Sequence, residues 1–61
     1  MKLKVVQWMD VQKYFLDYEM FWPLADKIDG ACDEREFGEE IEIELMPLEE
    51  LLVRGALSKL G

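Results

Sequence analysis

A seven-residue run, Glu40 to Met46 (EIEIELM), does most to restrict the folds open to this chain. Ile41, Ile43 and Leu45 alternate with Glu40, Glu42 and Glu44, and a period of two sends the two sets to opposite faces of a strand. One face therefore needs an apolar cover from elsewhere in the chain. The chain has only 61 residues, and a domain of that size buries roughly 60% of the surface its unfolded form exposes. One small domain, residues 1–61, is the expected organisation.

The cover comes from a helical stripe. Val11, Tyr14, Phe15, Tyr18, Phe21, Trp22, Ala25 and Ile28 follow one another at steps of three and one, which places them on one helix face. Asp10 is placed to cap this helix, and Gly30 to end it in a left-handed conformation. Pro23 falls inside the stripe without disturbing its phase, which predicts one kinked helix in preference to two. Lys2 to Trp8 (KLKVVQW) has paired valines and partial alternation and predicts a short first strand. Residues 30–38 are expected to form a loop. Pro47 suits the first position of a last helix ending at Leu60, with Glu49 and Glu50 favoured at its start and Lys59 at its end. The expected fold class is α+β. Its order is strand, helix, strand, helix, with Ile41, Ile43 and Leu45 packed against Val11, Phe15, Tyr18 and Trp22.

The last helix is apolar over more of its circumference than one core contact uses. Leu51, Val53, Gly55, Leu57 and Leu60 are therefore expected to form an interface with a second copy. Gly55 costs about 1 kcal/mol relative to Ala inside a helix, which suggests a close approach of another backbone there.

The side-chain inventory argues against an enzyme. The chain has no His, Asn or Thr, and Ser58 is its one serine. Cys32 is the one cysteine, so neither a Cys–His pair nor an internal disulfide can form. Asp33 and Glu34 beside it are expected to suppress its thiolate. Residues 29–40 place acids at positions 1, 5 and 12 of a calcium-type loop, but Ala31 stands at position 3 and Glu34 at the glycine position. No metal or other cofactor is expected. The aromatic cluster from Tyr14 to Trp22 has core spacing and no basic groove beside it, which favours packing over stacking on bases. Trp22, next to Pro23, is the member best placed to anchor a partner.

Charge is what remains. The formal net charge is −7, and residues 17–50 carry thirteen acids against Lys27 and Arg35. Such a chain is repelled by nucleic acid and by anionic membranes. Its longest apolar run, Met20 to Ala25, is six residues, far short of the roughly 20 a membrane span needs. No secretory hydrophobic block follows Met1 to Lys4, and a cytoplasmic location is expected. In a strand, Glu40, Glu42 and Glu44 repeat every ~6.7 Å. With Asp33, Glu34, Glu36 and Glu39 they would form an anionic face that docks on a basic groove of another protein, such as a nuclease or ribonucleoprotein.

The leading expectation is thus a small inhibitor that imitates a phosphate backbone. Phage-encoded DNA mimics, anti-CRISPR proteins and some antitoxins share this economy of size and charge. The alternative is a non-catalytic adaptor that oligomerises through its last helix, its acids serving solubility alone.

Overall fold

The structure is a computed structural model that describes residues 1–60, the side chain of Leu60 excepted. It is α+β, with the order β1 (Lys2–Lys4), α1 (Val5–Leu16), α2 (Trp22–Cys32), β2 (Glu40–Glu42) and α3 (Pro47–Leu60). A single 3₁₀ turn, Glu19–Phe21, leads into α2. The strands run antiparallel, with Lys2 opposite Glu42, Leu3 opposite Ile41 and Lys4 opposite Glu40. Met1 and Ile43 extend the ladder. The Ile43 N–H donates to the Met1 carbonyl at 2.9 Å, and the Met1 ammonium donates to the Ile43 carbonyl at 2.7 Å. Ile41 and Ile43 are buried beside Leu3, Leu45 is half-buried, and the three intervening glutamates are exposed. The alternation of burial read from the sequence is present, but the second strand is shorter than expected. β2 ends at Glu42, pairing reaches only Ile43, and residues 44–46 lie outside the ladder because β1 has no residue left to pair with them.

The first strand is shorter than expected, ending at Lys4 instead of Trp8. Val5, Trp8, Val11 and Phe15 are all buried, so the helical stripe begins at Val5 and overrides the strand preference of the paired valines. The helix start is satisfied without a conventional cap. Its first N–H groups, at Val5 and Val6, donate to the carbonyls of Glu39 and Phe37 at 3.0 and 3.2 Å. The Lys4 N–H donates to the Gln7 side chain at 3.1 Å. Asp10, expected at the cap, lies exposed inside α1.

The expected kinked helix is two helices, and the break falls at Asp17 and Tyr18 instead of Pro23. Tyr18 takes an extended conformation, and Pro23 sits in the first turn of α2, where its missing N–H has no helical acceptor to lose. The Trp22 indole N–H donates to the Leu16 carbonyl at 2.9 Å, satisfying an acceptor left over at the end of α1. Tyr18 and Trp22 are therefore 61% and 47% exposed, and neither faces the strands. Trp8 takes the central place instead, fully buried with its ring centroid 5.5 Å from that of Phe15. Gly30 lies inside α2, and the left-handed residue after the helix is Glu34, at φ 63.

Burying Trp8 creates one obligation, a partner for its indole N–H. Asp29 on α2 supplies it at 2.6 Å, and the Gln12 amide donates to the two oxygens of the same carboxylate at 3.0 and 3.2 Å. α3 closes the core with Val53 and Ala56. At its start the Glu49 carboxylate accepts from the Met46 N–H at 2.9 Å and meets the Lys27 ammonium of α2 at 3.5 Å. The backbone bond, more than Lys27, holds the Glu49 carboxyl below its ordinary pKa.

Replacing Asp29 with Ala strands the Trp8 indole N–H in the core. A loss of about 1–3 kcal/mol is expected, a large part of what so small a core supplies. Asp29→Asn, which keeps an acceptor, should lose less, and urea unfolding of the two variants measures the difference. Glu49 makes stability depend on acidity. Its pKa is lowered by folding, so its contribution is complete above the ordinary carboxylate value and disappears as pH falls through the depressed one. Glu49→Gln should flatten that part of the stability–pH curve measured by circular dichroism.

Candidate functional site

The acidic segment begins where α2 stops. Asp33 turns extended, Glu34 adopts the left-handed conformation, and the Arg35 N–H returns to the Cys32 carbonyl at 3.0 Å. The Glu39 carboxylate accepts from the Glu36 N–H at 2.7 Å, while the Glu39 N–H donates to the Glu36 carbonyl at 3.0 Å. This small closed turn presents the Phe37 and Glu39 carbonyls to the first N–H groups of α1. The turn thus lies at the positive end of the α1 dipole, where negative charge is favoured. Asp33, Glu34, Glu36 and Glu39 are all exposed. Phe37 stands in this turn 65% exposed, an apolar side chain beside Arg35, Glu36 and Gly38. Arg35, 4.0 Å from Glu39, is the one base within the turn.

The strand that follows is less purely anionic than its sequence suggests. Residues directly opposite in an antiparallel pair project from the same face. Lys4 and Lys2 therefore share the exposed face with Glu40 and Glu42, and the Met1 ammonium lies 3.8 Å from Glu42. Glu44, exposed but beyond the end of β2, lies outside the ladder and has no lysine opposite it. The Lys–Leu–Lys pattern at the start of the chain was the available signal for this ladder.

Trp22 does not join the acidic turn. It begins α2 and the turn follows the far end of that helix, a separation of about 15 Å at 1.5 Å per residue. The residues expected at a dimer interface are also dispersed. Val53 is fully buried within its own chain, Leu57 is half-buried, and Leu51 is 65% exposed. Nothing lies within 4 Å of a Cβ built on Gly55, so no backbone of this chain approaches it. The Leu60 side chain lies outside the described residues. Leu51 and Gly55 instead line a groove of about 430 Å³ with Tyr14, Tyr18, Phe21 and Leu52, a feature that helical periodicity alone does not reveal. Lys13 and Lys59 stand 5.5 and 6.0 Å from the Tyr14 ring centroid at its side.

Cys32 is half-buried, and its thiol is pushed above its ordinary pKa, first by burial and second by the Asp29 carboxylate. The cause differs from the expected one, since Asp33 and Glu34 are exposed to solvent. Among the described residues no three acids or cysteines converge on a point where a metal ion could sit. Nor, among them, is any helix long and apolar enough to cross a membrane. The chain matches no protein-family model, curated protein or solved structure. Geometry and charge therefore carry the functional reading.

A raised thiol pKa slows attack on disulfides. Cys32 in the folded protein should react with Ellman's reagent more slowly than in the urea-unfolded chain. Equal rates would show that neither burial nor Asp29 acts on it.

Proposed function

We propose that this protein is a non-catalytic inhibitor that docks its acidic surface on a basic groove of another protein, one that otherwise holds nucleic acid. The observation that carries this reading is the turn that holds exposed acids and an exposed Phe37, tied to α1 by two backbone hydrogen bonds. Residues 33–44 carry seven acids against Arg35, and all seven are exposed. Such a field steers a basic partner and raises the rate of encounter. Long residence needs a desolvated anchor, and Phe37 is an exposed aromatic side chain available within the acidic segment. Rigidity helps as well, since a surface already ordered loses little entropy on binding.

The lysines opposite Glu40 and Glu42 shift the working charge toward the turn and Glu44. Reversing Glu40 and Glu42 would also place lysine against lysine across the ladder, which destabilises a sheet. The cleaner test reverses Asp33, Glu36 and Glu44, whose side chains make no hydrogen bond or ion pair among the described residues. Against a basic partner captured from the native host at low salt, the triple lysine variant should associate at least about tenfold more slowly. Phe37→Ala should instead speed dissociation. Unchanged kinetics in both variants would contradict the proposal.

One observation favours the adaptor reading as a second choice. Leu48, Leu51 and Met20 are each more than 60% exposed, the first two on α3. Self-association through that face would double the mass seen by light scattering at micromolar concentration. The same mass would fall back to that of one chain on Leu51→Glu.

A further inference from the structure

The two-stranded sheet leaves one side of β2 unpaired. In an antiparallel ladder, residues that exchange both hydrogen bonds alternate with residues whose backbone groups face outward. Met1 and Ile43 exchange both bonds, and the Val5 N–H donates to the Glu39 carbonyl. By that alternation Ile41 and Ile43 turn their N–H and C=O groups toward β1, while Glu40 and Glu42 turn theirs away from it. Among the described residues no hydrogen bond reaches those outward groups. Beside residues 42–47 lies a groove of about 520 Å³, bounded on the α2 side by Lys27 and Ala31.

We propose that this edge is the seat of an extended segment of the partner, of alternating basic and apolar residues, which adds as a third strand beside β2. The inference rests on the acidic-surface reading above and specifies how the partner is held. Charge complementarity identifies the occupant, and β1 already shows the pattern. There Lys2 and Lys4 lie opposite Glu42 and Glu40 on the exposed face, while Leu3 enters the core opposite Ile41. An added strand of the same pattern would set its basic side chains beside the same glutamates. Its apolar side chains would fall on the buried face, toward the groove where Ile43 and Leu45 contribute apolar surface. Backbone pairing would supply affinity, and the alternation of side chains would supply selectivity.

A second copy fits this edge poorly. Two β2 edges meeting would oppose glutamate with glutamate, and like charges directly opposite are destabilising. The glutamates thus guard the edge against self-pairing while leaving it open to a basic strand.

The test uses the whole protein and three acetylated, amidated peptides, followed by amide NMR titration. The first alternates lysine and valine, Lys-Val-Lys-Val-Lys-Val-Lys. The second has the same composition in blocks, and the third is the first with N-methyl groups on the alternate residues whose N–H groups would face β2. The alternating peptide should shift the Glu40 and Glu42 amides and slow their hydrogen exchange. The block peptide and the N-methylated peptide should bind at least about tenfold more weakly, a difference of about 1.4 kcal/mol. Equal binding by all three would mean charge alone is recognised, which overturns strand addition and leaves the acidic-surface reading standing. No binding by any of them also overturns strand addition, the acidic surface being judged separately by the Asp33, Glu36 and Glu44 reversals. Shifts at Glu40 and Glu42 that grow with protein concentration in the absence of peptide would assign the edge to a second copy and overturn it as well.

Discussion

The hydrogen bond from the Trp8 indole to the Asp29 carboxylate, 2.6 Å long, is the contact around which the rest of the molecule is arranged. Trp8 is the largest fully buried side chain, and a core this small has no substitute for the area it removes from water. That burial is tolerable only if the indole N–H keeps a partner. Asp29 provides one from α2 and receives Gln12 from α1 as well, so one half-buried carboxylate fastens the two helices together. Ile28, next to Asp29, is fully buried, which ties the polar contact directly to the apolar core.

With α1 and α2 joined, the acidic turn acquires its place. It spans from the end of α2 to β2, and its carbonyls meet the N–H groups that open α1. The same bonds that complete the helix start therefore order the segment richest in exposed acid. Negative charge there also suits the helix dipole, which offsets part of its self-repulsion. A further part is offset by Lys2, Lys4 and the Met1 ammonium along the sheet. These cations explain how a chain of net charge −7 brings its acids together without a core large enough to oppose strong repulsion.

What was legible in the sequence follows from how local each signal is. The alternation of burial from Glu40 to Met46 and the start of α3 at Pro47 depend on neighbouring residues, and the structure shows both, although only Glu40–Glu42 of that run is strand. The start of α1 depends on a distant loop that accepts its N–H groups, and no local pattern reports that. The break at Tyr18 was hidden because Tyr14, Tyr18 and Trp22 keep helical phase while lying exposed, so periodicity implied a burial that does not exist. At the candidate site the acids could be read residue by residue. The opposing lysines could not be placed until register was known, because a strand shows its partner's identity only through pairing.

Native-state hydrogen exchange tests most directly whether Trp8 and Asp29 hold a fold whose β2 edge stays open. Protection is expected to alternate along β2. Amides of Ile41 and Ile43 should be protected, those of Glu40 and Glu42 should exchange quickly, and the Trp8 indole N–H should exchange only with global unfolding. Equal protection of Glu42 and Ile43, or rapid exchange at the Trp8 indole, would contradict it.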